Sequence, residues 1–102
     1  MIIISGALKM AKGDIDRLHA AGVAMIEATH REEGCIAYTF SRDITDPDTL
    51  VIFEIWQDDA ALAAHFQTPH MAAFQAAMAG AQRQGGFAKV YSAEFQRNLM
   101  GD

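Results

Sequence analysis

The chain has 102 residues, 51% of them apolar and 21% charged, with two prolines and one cysteine. That is the size of a single domain, and the composition excludes intrinsic disorder and a disulfide-stapled scaffold. A net charge of -5, with eight Lys and Arg scattered among thirteen Asp and Glu, excludes the clustered basic surface that nucleic acid requires.

One unit over 1–102 is therefore expected, with 96–102 as a tail. No apolar run approaches the length of a membrane span, and Met1-Ile2-Ile3-Ile4 meets Ser5-Gly6 too soon for a secretory signal. The expectation is a soluble cytoplasmic protein with no membrane partner, a setting that suits the lone Cys35.

Ile2 to Leu8 is a β-branched run that predicts a first strand, with Gly6 marking a bulge or the close approach of another backbone. Asp14 is a candidate N-cap for a helix of about twenty residues, because Ile15, Leu18, Gly22, Met25, Ile26 and Thr29 recur at helical spacing. Gly34 ends it. Asp16, Arg17, Glu27, His30, Arg31 and Glu33 form the solvated face, and His19 is read as solvated too.

From Cys35 to Arg42 the period switches to two, placing Ile36, Tyr38 and Phe40 on one side and Cys35, Ala37, Thr39 and Ser41 on the other. Asp43 to Asp48 is turn chemistry, and Thr49 to Gln57 is a strand of Val, Ile, Phe and Trp, so the two strands pair as a hairpin. Asp58 or Asp59 caps a second helix bearing Leu62 and Phe66, which Thr68-Pro69 restarts with Met71, Phe74 and Met78 inward. A linker ending at Gly85-Gly86 leads to a last strand, Phe87 to Phe95.

The order βαββαβ predicts an α+β, ferredoxin-like fold with a four-stranded antiparallel sheet. Helices cover one face of such a sheet, and the apolar residues on the other face call for a partner. A homodimer packed sheet to sheet, a dimeric α/β barrel with a pocket between sheet and helices, meets that need.

The stretches Glu32 to Phe40 (EEGCIAYTF) and Phe53 to Phe74 (FEIWQDDAALAAHFQTPHMAAF) resemble the antibiotic biosynthesis monooxygenase (ABM) family. The likeness is carried by Glu33-Gly34-Cys35 with Tyr38, by Glu54-Ile55-Trp56, and by His65 with Thr68-Pro69-His70. It implies small dimeric barrels that include quinol-oxidising enzymes, alongside haem degraders and an isomerase-type signal processor. The haem-degrading branch uses an Asn on the first strand; here the only asparagine is Asn98, so the resemblance implies no haem.

The residues themselves allow a site. His65 follows Trp56 by nine positions across a strand-to-helix turn, so both can face one cavity. An imidazole can take a phenolic proton near neutral pH, and an indole can stack on a flat aromatic substrate. The alternative is a satisfied core histidine beside a core tryptophan. Glu54 shares a strand face with Trp56 in an apolar run, either as a proton relay or as a structural acceptor. Tyr38, Phe66 and His70 are the candidate substrate contacts.

His70 lies five residues from His65, not the one-turn spacing of paired helical ligands, and no carboxylate is evident to finish a zinc set, so no metal is expected. No Gly-rich phosphate loop suggests a nucleotide or flavin, so no cofactor is expected either. The leading expectation is oxidation of a hydroquinone, catechol or phenolic polyketide by O2, with the substrate as reductant and His65 as base. The alternative is a dimeric module that binds or isomerises a small metabolite without oxygen.

Overall fold

The N-terminal β-branched run becomes β1 (Ile2–Met10) in a computed structural model that describes residues 1–101; Asp102, the end of the expected tail, lies outside them. Three more strands, β2 (Cys35–Arg42), β3 (Thr49–Trp56) and β4 (Arg83–Ser92), complete one antiparallel sheet in the order β2-β3-β1-β4. With helices between β1 and β2 and between β3 and β4, this is the expected ferredoxin-like α+β fold.

The close approach read from Gly6 is real. A Cβ there would sit 2.8 Å from the carbonyl oxygen of Phe87 on β4. Gly86 answers it from the other strand: its φ is 114°, and a Cβ would fall 2.1 Å from the Ala7 oxygen. That packing explains why Gly85-Gly86 lie inside β4 rather than in a linker, and why β4 runs from Arg83 to Ser92 instead of the expected Phe87 to Phe95.

The first helical region is two helices, α1 (Asp14–Arg17) and α2 (His19–Thr29), because Leu18 takes bridge-region dihedrals of -88° and 0°. Asp14 is not the cap: Gly13, with φ 84°, precedes the helix. The buried Asp14 carboxylate instead accepts the Gln82 amide at 2.9 Å and pairs with Arg17 at 2.7 Å. Those contacts, the backbone hydrogen bond from Gln82 above all, hold its pKa below the usual carboxylate value.

Asp58 caps α3 (Asp59–His65) by accepting from the Ala61 amide, and Thr68 caps α4 (Pro69–Met78) by accepting from Met71. In the hairpin turn, Asp43 accepts from Thr45 and Asp46 accepts from Asp48 and Thr49.

The strict alternation expected of β2 is broken by an irregularity between Cys35 and Ala37. Cys35 therefore stands opposite Trp56 and packs on the core, while Ile36 is 56% exposed instead of lying beside Tyr38 and Phe40. The core gathers Ile4, Met25, Tyr38, Trp56, Leu62 and Met71 between the helices and β1 to β3. Along β4, Phe87, Val90 and Tyr91 remain about half exposed. No helix among the described residues is long and apolar enough to cross a membrane.

Candidate active site

Trp56 ends β3 pointing at the helices and is fully buried. Two residues earlier on the same face, Glu54 accepts a hydrogen bond from the Trp56 indole, Nε1 to Oε1, at 2.9 Å. That bond holds the ring plane, and burial pushes the Glu54 carboxyl above its ordinary pKa. Tyr38 faces Glu54 across the β2–β3 pair, its ring edge-on to Trp56 with centroids 6.3 Å apart. Burial, reinforced by Glu54 and Glu32, raises the Tyr38 phenol far above its usual range, so it stays protonated.

His65, at the end of α3, is 1% exposed and lies against this wall, its ring 4.7 Å from Trp56 and 5.3 Å from Tyr38. Its Nδ1 donates to Glu32 Oε2 at 2.6 Å. Its Nε2 is buried with no hydrogen-bond partner. A carboxylate on Nδ1 fixes the proton there and leaves Nε2 as an unpaired acceptor inside an aromatic wall. Buried polar atoms are rarely left unpaired; of the two such side-chain atoms among the described residues, Thr29 Oγ1 and His65 Nε2, the ring nitrogen is the one that can take a proton, so it calls for a functional account.

Glu32 is the residue that sequence reasoning missed. It belongs to the motif stretch Glu32 to Phe40, but the residues that carry the likeness begin at its neighbour Glu33. A signal was available: Met25 and Thr29 are the buried positions of α2, and Glu32 follows Thr29 by three, continuing the inward stripe past the helix end. The turn that follows is closed by Gly34, whose φ is 86° and whose oxygen accepts the Gln57 amide at 2.8 Å.

The same Glu32 oxygen accepts from His70 Nε2 at 2.7 Å. Five residues along an unbroken helix would set two side chains about 140° apart. The break at Thr68-Pro69 cancels that arithmetic: Thr68 donates to the His65 carbonyl and caps α4, so both imidazoles reach one carboxylate. The expectation that no carboxylate stands near the histidine pair is thus corrected by Glu32, whose donor atom and those of His65 and His70 all lie within 4.8 Å of one another. Glu32 is mostly buried and His70 is 23% exposed, so the trio runs from the core to the surface.

Three candidate residues, His65, Trp56 and Tyr38, form one packed aromatic cluster, and Glu54 joins it through the indole. Phe66 stacks beside His65 at 5.7 Å but is 52% exposed. The expected shared cavity is not at this cluster. A cavity of about 340 Å³ lies further along the sheet, between α1, α2 and the far ends of β2 and β3, with Phe40 and Phe74 on its wall and Arg42 and His19 among its polar groups. None of His65, Trp56, Glu54, Tyr38 and Phe66 lines it. Phe40 bridges the two regions, its ring 5.2 Å from Tyr38 and 5.5 Å from Phe74. His30, read as solvated, is exposed, yet its Nε2 bonds the Tyr38 carbonyl at 2.9 Å and steadies β2 behind the cluster.

Residues 1–77 match the family model described as "Antibiotic biosynthesis monooxygenase". An uncharacterized protein of Synechocystis is 36% identical over 73 residues, covering 72% of this chain and 50% of that protein. The Escherichia coli K12 protein named "Probable quinol monooxygenase YgiN" is 40% identical over 58 residues, 49% of this chain and 56% of that one. The chain thus spans about half the length of these curated relatives. A crystal structure of a Deinococcus radiodurans protein named for the same family superposes with a TM-score of 0.85 at 27% identity, covering 99% of this chain and 100% of the other.

Proposed function

The chain belongs to the antibiotic biosynthesis monooxygenase family, and from that premise we propose that it oxidises a hydroquinone or related electron-rich phenol with O2, using His65 as the base. The observation that carries the reading is the buried, partnerless Nε2 of His65, whose tautomer is set by Glu32 on the opposite nitrogen. The relative named as a quinol monooxygenase supports the substrate class.

In this reading His65 Nε2 takes the proton of one substrate hydroxyl, and Glu32 stabilises the imidazolium that results. His70, on the same Glu32 oxygen and partly exposed, links that proton to solvent. The phenolate is the reductant: one oxygen atom enters the ring, the other leaves as water, and the hydroquinone ends as a hydroxyquinone. Trp56, oriented by Glu54, and Tyr38 form a dry, flat wall against which the anion lies. Tyr38, held protonated, can donate to a substrate oxygen.

The substrate enters through the cavity beside Phe40, whose volume of about 340 Å³ is within the range of small-molecule sites. Phe40 is the gate, because its ring separates that space from Tyr38 and the base. Two copies pack sheet to sheet over the face that carries Phe53, Ile55, Phe87 and Tyr91, which removes their exposed apolar area from water.

The experiment is oxygen uptake with a series of hydroquinones. Turnover is expected with at least one of them, and His65→Ala is expected to lose about 10²- to 10⁴-fold of it while keeping its circular dichroism. Quinol turnover that survives His65→Ala would overturn the assignment of the base; no uptake with any quinol would overturn the reaction.

A further inference from the structure

We propose that Glu32, His65 and His70 together form a binding site for a first-row divalent cation of the zinc type. Two imidazoles and one carboxylate are a ligand set that zinc accepts with a fourth position open to water. Here the set comes from three places in the fold: the turn after α2, the end of α3 and the first turn of α4. The three donor atoms already converge, with Glu32 Oε2 at 2.6 Å from His65 Nδ1 and 2.7 Å from His70 Nε2. A cation about 2.1 Å from each donor replaces the two shared protons, and the ring that has room to adjust is His70, the most exposed of the three.

The surroundings favour a cation. The ion-pair partners of Glu32 are the two histidines, and no Lys or Arg among the described residues pairs with it. The rings are held from behind: Thr68 binds the His65 carbonyl, and Trp56 and Tyr38 clamp the His65 ring.

Occupancy has a consequence for the chemistry, and this part rests on the proposed function. With a cation on Nδ1, the neutral imidazole of His65 must carry its proton on Nε2. The acceptor becomes a donor, and proton abstraction stops. The site would therefore shut the enzyme down at raised cation levels, and His70, open to solvent, is where the ion arrives.

The test uses tag-free protein stripped with chelator and titrated with Co2+, read by its visible d–d bands and by calorimetry, and then with Zn2+ in competition. One ion per chain is expected, with affinity falling about tenfold or more in Glu32→Gln and in His70→Ala, and a melting temperature raised by Zn2+ in wild type. His70→Ala removes a partly exposed ring, so it serves where Glu32→Gln fails to fold. No Co2+ spectrum, or equal affinity in wild type and folded variants, would overturn the site. Zn2+ is also expected to suppress quinol-dependent oxygen uptake in wild type at concentrations at least about tenfold lower than in His70→Ala. If wild type consumes no oxygen, the proposed reaction falls while the Co2+ titration still decides the metal site.

Discussion

The two ends of the sheet solve the same problem differently. On the β2–β3 side, Tyr38, Glu54 and Trp56 are buried under α3 and the turn after α2, and the Trp56 indole, the Glu54 carboxyl and the His65 Nδ1 have found partners inside the chain. On the β4 side, Phe87, Val90 and Tyr91 line a strand about half exposed on both faces, and Phe95 beyond it is 66% exposed. The first end is finished within one chain and spends its completeness on holding a single imidazole. The second has apolar area that only another surface can cover. Changes at the first end should therefore act on stability and chemistry, and changes at the second on assembly.

The largest expected effect is at the closed end. Trp56→Ala removes a fully buried ring and the donor to Glu54, and a loss of about 3–5 kcal/mol in urea unfolding is expected. A loss below about 1 kcal/mol would mean that the cluster is loosely packed.

At the open end, Phe87→Glu combined with Tyr91→Glu should leave unfolding of the isolated chain within about 1 kcal/mol, since both side chains are already about half exposed. In analytical ultracentrifugation the same pair should turn a dimer into a monomer. A monomeric wild type would contradict the sheet-to-sheet pairing.

A smaller effect belongs to the break that brings the histidines together. Thr68→Ala loses the α4 cap and should cost about 1 kcal/mol. It should also lower quinol turnover, because His65 and His70 are no longer set relative to Glu32; turnover unchanged by Thr68→Ala would show that the cap is structural only.

The smallest effect is a slope with pH. The folded Glu54 carboxyl titrates above its ordinary value of 4.5, so the native state holds a proton that the unfolded chain releases. Its contribution to stability is full below that value and is lost as pH rises through the folded pKa. Glu54→Gln should flatten this part of the stability–pH curve; an unchanged slope would place the titration elsewhere.

How much of this was legible in the residues follows from the kind of signal each part leaves. Strand periods, caps and the hairpin are local, so the sheet, the Asp58 and Thr68 caps and the shared strand face of Glu54 and Trp56 follow from parity and propensity. Tertiary packing decided the rest. The irregularity after Cys35 moves Ile36 outward, and parity counting cannot see a bulge. The backbone approach at Gly6 and Gly86 extends β4 through two glycines that read as a linker. Glu32 was overlooked because a glutamate beside a helix end reads as solvated, whereas Gly34 turns the chain so that it faces two imidazoles. The cavity was expected at the base and lies beyond Phe40, a separation set by where the helices rest on the sheet.

The account turns on one nitrogen, and nuclear magnetic resonance of ¹⁵N-labelled histidine reads it directly. At neutral pH, His65 should show a protonated Nδ1 and a bare Nε2, with the pattern lost in Glu32→Gln. A proton on His65 Nε2 with a bare Nδ1 would contradict the assignment of that atom as the base.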